Sequence, residues 1–199
     1  MKTDIITHYD LLIEENNDPV NDPKPLQEYM DKWDGPSFFD ALRLDKSKAV
    51  LEIGLGTGRI AIKVIPLCKK FTGIDISPKT IERAKQHLEK YKTVTFICDD
   101  YLACDFCEKY DTIYSSLTWM HFQDKQSAMN KTADLLNEKG RFVLSVSKEL
   151  TDEINYGTRI INVFPDTPET IKSQIKSSGL YLVNVIEVEN AYIFVSEKR

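Results

Sequence analysis

The segment Leu51-Glu52-Ile53-Gly54-Leu55-Gly56-Thr57-Gly58-Arg59 constrains this chain more than any other. Its three alternate glycines follow the short apolar run Ala49-Val50-Leu51-Glu52-Ile53 and precede a helical pattern from about Arg59 to Lys69. Strand, glycine loop and helix in that order open a βαβ unit. Glycine tolerates positive φ and lets the backbone approach a ligand without a Cβ clash. The next acid at a strand end is Asp75, 21 residues after Gly54. A carboxylate there can accept both hydroxyls of a ribose. The dinucleotide fingerprint G-x-G-x-x-G would put its last glycine at Arg59, where a large side chain obstructs helix packing. That weighs against an NAD-dependent oxidoreductase. The spacing present is G-x-G-x-G, preceded by Glu52.

The rest of the chain continues the alternation. Residues 71–75 form a second strand. Ser77 and Pro78 supply an N-cap and an N1 proline for a helix through about Tyr91. Residues 93–98 and 111–115 are further strands, being β-branched and aromatic. A helix follows over about 124–137, with Gly140 as its stop signal, then a fifth strand over 141–146. A last helix covers about 168–177, and two β-rich runs, 180–188 and 191–196, close the chain as a hairpin. Pro66 must shorten or distort the first of these helices. Strands alternating with helices imply parallel pairing through right-handed crossovers, with helices on both faces. The expected fold is α/β: a doubly wound, Rossmann-like, seven-stranded and mostly parallel sheet with an antiparallel C-terminal hairpin. Ligands in such sheets bind at the carboxyl ends of the strands, where strand order reverses.

Residues 1–45 read differently. Short helical patterns at about 4–15, 25–33 and 36–43 flank the turn-rich Asp18-Pro19-Val20-Asn21-Asp22-Pro23-Lys24-Pro25. They predict a small helical N-terminal cap (1–45) beside a core domain (46–199). The cap also holds the charge anomaly. Overall 26 Lys and Arg stand against 31 Asp and Glu, a net of −5. Residues 1–40 carry ten acids and three bases, a net of −7, and the remainder is slightly basic. An acidic cap suits cationic acceptors as well as a solvated surface. The acidic balance argues against nucleic-acid binding, which needs Lys and Arg to displace counterions. No apolar run nears the roughly 20 residues needed to cross a bilayer. Met1-Lys2-Thr3-Asp4 lacks the apolar stretch of a signal peptide, so a cytoplasmic protein is expected. Of the four cysteines, Cys104 and Cys107 have C-x-x-C spacing, but no partner pair completes a zinc set, and reduced thiols and no metal are expected.

On these residues the chain resembles class I S-adenosylmethionine-dependent methyltransferases of the small-molecule type, over nearly all of 48–199. Glu52-Ile53-Gly54-Leu55-Gly56-Thr57-Gly58 is similar to the family's first motif, whose glycine backbone lines the amino-acid end of the cofactor. Gly73-Ile74-Asp75-Ile76-Ser77 is similar to the second motif, which makes Asp75 the ribose ligand and Ile76 a wall of the adenine site. Phe96-Ile97-Cys98-Asp99-Asp100-Tyr101 resembles the third motif, with Asp100, or Asp99 in a shifted register, on the adenine amino group. Tyr110 to Phe122 resembles the fourth motif, which sets Ser115 and Ser116 beside the sulfonium. The resemblance implies S-adenosylmethionine as cofactor, S-adenosylhomocysteine as product and a small-molecule acceptor. The Asn/Asp-Pro-Pro motif of nucleobase methylation is replaced by Ser115-Ser116-Leu117-Thr118.

Methyl transfer from a sulfonium depends mainly on orientation, because the cofactor carries the electrophile. His121 is the titratable candidate for a catalytic base. Trp119, and Tyr9, Trp33 and Phe38 of the cap, are candidates for the substrate wall. The segment 148–167 is short for a substrate-recognition insertion. Because no residue is mandatory for this chemistry, a non-catalytic cofactor-binding or partner-binding protein is the alternative.

Overall fold

The computed structural model describes residues 2–199, so Met1 of the N-terminal reading lies outside the described residues. Seven strands form one sheet: β1 (Ala49–Ile53), β2 (Lys70–Asp75), β3 (Val94–Cys98), β4 (Tyr110–Ser116), β5 (Leu136–Ser147), β8 (Tyr181–Glu187) and β9 (Ala191–Glu197). Their order is β3-β2-β1-β4-β5-β9-β8. The first five pair in parallel, and β9 runs antiparallel to both β5 and β8. The order reverses between β1 and β4, which opens a crevice beyond their carboxyl ends.

Strand period decides how the two faces fill. Val50 and Leu51, or Val143 and Leu144, point to opposite sides, and each is fully buried. One face packs under α6 (Lys125–Leu135) and α7 (Pro168–Ser177) through Met129, Ile171 and Ile175. The other packs under α3 (Pro36–Leu42), α4 (Ala61–Val64) and α5 (Pro78–His87) through Phe38, Leu42, Val64 and Ile81. Burial on both faces is what a doubly wound parallel sheet requires. Truncating a fully enclosed member such as Leu51 to alanine would cost about 2–5 kcal/mol.

The structure bears out the expected shortening at Pro66 and differs from the sequence reading in two places. The helix after the glycine loop is only Ala61–Val64, followed by a 3₁₀ turn at Ile65–Leu67. Pro66, lacking an N–H, forces the tightening. Gly140 does not stop α6. The chain turns extended at Leu136, which is fully buried opposite Tyr110, and Gly140 lies inside β5. Finally, the short segment 148–167, in which the sequence reading places no strand, contains a second sheet, β6 (Glu153–Asn155) paired with β7 (Ile160–Asn162).

The N-terminal helices have two different positions. α3 belongs to the layer over the sheet. The helices α1 (Ile5–Glu14) and α2 (Lys24–Asp34) border the crevice. α1 starts at Asp4, whose carboxylate accepts from the Thr7 N–H at 3.0 Å. It rests on α5 on one side and meets the β6–β7 hairpin on the other. Among the described residues no helix is long and apolar enough to cross a membrane.

Candidate functional site

The crevice is a cavity of about 1060 Å³, bounded by the glycine loop, the ends of β1, β2 and β4, α1, α2 and Tyr156 of the hairpin. Its volume matches the upper end of ordinary small-molecule sites.

The glycine loop forms one wall. Gly54, Gly56 and Gly58 all have positive φ. At Gly54 a Cβ would lie 1.9 Å from Thr118 Oγ1, so the loop is pressed on the chain beyond β4. At Gly56 a Cβ would meet nothing within 4 Å, and this residue borders the open cavity with Leu55. Gly58 does not line the cavity; it faces Leu88 behind α5. The backbone N–H groups of Gly56 and Ser77 donate to the two oxygens of Asp75, at 2.9 and 3.0 Å. Burial pushes the Asp75 carboxyl up, and these N–H groups pull it back toward the ionised form. Ile76, Asp99, Asp100 and Tyr101 continue this wall. Asp99 and Asp100 both reach the cavity, each also accepting a backbone N–H of its own turn.

A buried polar network sits at the other end. Glu52 accepts from the Tyr114 hydroxyl at 2.8 Å and borders the cavity, and burial holds its carboxyl well above the usual range. Arg59 makes a two-pronged contact with Asp34, the fully buried last residue of α2. Ser116 donates to the same Asp34 at 2.7 Å. Asp34 thus ties α2 to the glycine loop and to the end of β4, a role that the sequence reading missed. The acid-rich first 40 residues hinted at it, without showing which acid met which base.

On the far wall Tyr9 Oη and His121 Nε2 lie 2.8 Å apart, joining α1 to the turn after β4. Burial lowers the His121 imidazole to about 4, with His8 and Lys125 adding to the effect. It also raises the Tyr9 phenol, so both groups are neutral at pH 7. Nearby, Arg159 of the hairpin grips both oxygens of Glu15 and donates through Nε to His8 Nδ1 at 2.9 Å.

Five expected site residues, Gly58 among them, lie off the cavity. Ser115 donates to the Ile53 carbonyl at 3.0 Å and stitches β4 to β1. Phe38 is enclosed in the sheet core against Tyr114, because its helix packs on the sheet. Trp119 is buried under the other face, against Phe142. Trp33 packs edge-to-face with Tyr29 and turns its indole N–H toward Ser147. The residues the cap does contribute are Tyr9, Leu12, Asp22, Leu26, Tyr29 and Met30, among others. Cys104 is buried, Cys107 is exposed, and both thiols are free.

A family model for a methyltransferase domain matches residues 44–191. The chain belongs to that family. It is a class I S-adenosylmethionine-dependent methyltransferase domain. A malonyl-[acyl-carrier protein] O-methyltransferase of Anoxybacillus flavithermus is 32% identical over 106 residues, which cover 52% of this chain and 40% of that protein. The chain therefore matches less than half the length of this curated relative. Among solved structures, a putative S-adenosylmethionine-dependent methyltransferase from Listeria monocytogenes superimposes with a TM-score of 0.75 at 17% identity, covering 83% of this chain and 96% of that one. The N-methyltransferase NodS from Bradyrhizobium japonicum, solved with S-adenosylhomocysteine, gives 0.67 at 20% identity and covers 90% of each chain. These two likenesses establish the fold.

Proposed function

We propose that the cavity takes S-adenosylmethionine along its glycine-loop wall and a small-molecule acceptor beneath α1 and α2, and that the methyl group passes between them. The observation that carries this reading is the convergence of Gly56, Asp75 and the Asp99–Asp100 pair on one open wall. The bare Cα of Gly56 leaves room for a ligand, and Asp75 retains lone pairs for two ribose hydroxyls. Asp99 or Asp100 accepts from the adenine amino group and Ile76 flanks the ring, while Tyr101 is buried in the core with its hydroxyl bonded to Thr132. Glu52 lies where the amino-acid end would rest, with Ser116 beside it.

When bound, the cofactor supplies an electrophilic methyl on sulfur. The chain's own work is to orient and enclose. Fixing nucleophile and methyl in line is worth about 7–11 kcal/mol. His121 is a weak base at an imidazole pKa of about 4, and its Nε2 is occupied by Tyr9. We assign this pair to latching α1 over the cavity, in place of proton abstraction by His121.

Calorimetry with S-adenosylmethionine and S-adenosylhomocysteine tests the proposal. Asp75→Ala should weaken binding by about 1.5–3 kcal/mol, the worth of hydrogen bonds to a charged group. Failure of the wild type to bind either compound at high micromolar concentration would refute it. Binding without turnover across a broad acceptor panel would reassign the chain to the non-catalytic alternative.

A further inference from the structure

The wall of the acceptor half has an uneven charge inventory. Among the described residues, Arg59 is the only lysine or arginine that lines the cavity, and its guanidinium is committed to Asp34. His121 is neutral. No free cation remains there to receive a carboxylate or phosphate.

The cap acids are mostly spent. Asp4 caps α1, Asp10 accepts from Ser77 and the Lys79 N–H, and Glu14 pairs with Lys79. Glu15 pairs with Arg159, Asp18 with Arg83 and His87, and Asp34 with Arg59. Glu28 and Asp31 face Lys24 and Lys63. Asp22 is different. It is half-buried, it lines the cavity, and among the described residues its carboxylate has no hydrogen-bond or ion-pair partner. It does not cap α2, whose N-cap is Pro23 with no side-chain hydrogen bond. Leu26, Tyr29 and Met30 of α2 line the same cavity, Leu26 and Tyr29 each about half exposed, and Lys32 Nζ stands 5.5 Å from the Tyr29 ring centroid. Apolar side chains and one unpaired carboxylate on the same cavity together select an organic cation with an apolar body.

We propose that Asp22 is a specificity-determining residue, holding the cationic nitrogen of an apolar amine, and that acceptors carrying a carboxylate at this position are excluded. This rests on the acceptor lying under α1 and α2, as proposed above. It departs from the malonyl carrier-protein substrate named for the relative in Anoxybacillus.

The test compares n-octylamine, n-octanol and n-octanoate, binding to the S-adenosylhomocysteine-saturated protein at pH 7 by calorimetry. The amine should bind about tenfold or more tighter than the alcohol, and the carboxylate weakest. Asp22→Asn should bring the amine to the level of the alcohol, with S-adenosylhomocysteine affinity on the same sample reporting that the variant is folded. Equal binding of amine and carboxylate, no binding of the amine, or an amine affinity untouched by Asp22→Asn would overturn the proposal. Absence of S-adenosylhomocysteine binding to the wild type would instead overturn the methyltransferase reading of the cavity on which it rests.

Discussion

Glu52 is a carboxyl group 3% exposed that accepts from the Tyr114 phenol, and burial raises it well above the usual carboxylate range. A cationic ammonium group placed against it would reverse that balance and drive the proton off. Cofactor binding is therefore expected to release protons at pH values above 4.5 where the free carboxyl still holds one. The binding enthalpy should then vary with the ionisation enthalpy of the buffer, and Glu52→Gln should abolish the variation. A buffer-independent enthalpy in the wild type would place the ammonium elsewhere. The glycines supply a second contrast. At Gly54 an added methyl collides with Thr118, so Gly54→Ala should lower stability by about 1–3 kcal/mol in urea unfolding. At Gly56 the methyl would enter ligand space, so Gly56→Ala should cost more cofactor affinity than Gly54→Ala for a smaller loss of stability. Equal effects at both positions would contradict the division of the loop into a protein-facing and a ligand-facing side. The loop and Asp75 were legible in the sequence because backbone chemistry restricts what can stand there. Phe38 and Trp119 were not, because an aromatic residue suits a core and a pocket wall equally well.

At the level of elements, the alternation of strands and helices was readable because each run is long enough to show its period. The β6–β7 hairpin escaped because strands of three residues show none. Its turn did carry a signal, Gly157 at positive φ shortly before the β-branched Ile160-Ile161. The hairpin is what holds α1 from one side: Arg159 pairs with Glu15 and His8, and the Thr3 N–H donates to the Ile160 carbonyl at 2.9 Å. Removing the guanidinium leaves His8 Nδ1 buried without its donor, which costs about 1–3 kcal/mol. Arg159→Ala should loosen α1 while the sheet keeps its protection, since local openings need not follow global unfolding. Hydrogen exchange measures this directly. Faster exchange over residues 5–14 with unchanged exchange in β1 and β4 is expected. Uniform acceleration through the sheet would mean that α1 is part of the central folding unit.

Across the whole molecule, the acidic excess of the first 40 residues is mostly an attachment surface. Its carboxylates meet Lys79, Arg83, Arg59 and Arg159 of the remainder. Composition revealed the asymmetry, but a one-dimensional count cannot pair charges that are 25 to 144 residues apart. The pairing puts the buried His8 and the half-buried His121 into the junction between α1 and the rest of the chain. Both have imidazoles lowered from 6.5, chiefly by burial, and for His121 the folded value is about 4. Below pH 6.5 the unfolded chain therefore binds more protons at these positions than the folded chain. Their contribution to stability is complete above 6.5 and declines as pH falls, for His121 until about 4. Glu52 acts oppositely in part of this range, since its folded form keeps a proton that the unfolded form has lost above about 4.5. The wild-type profile alone thus mixes two slopes. His121→Gln retains a partner for Tyr9 and removes one of them. The unfolding free energy of the wild type relative to His121→Gln should fall steadily from pH 6.5 to 4 and stay level above 7. A difference that is constant across that window would show that His121 titrates freely, and that α1 does not close over it in solution.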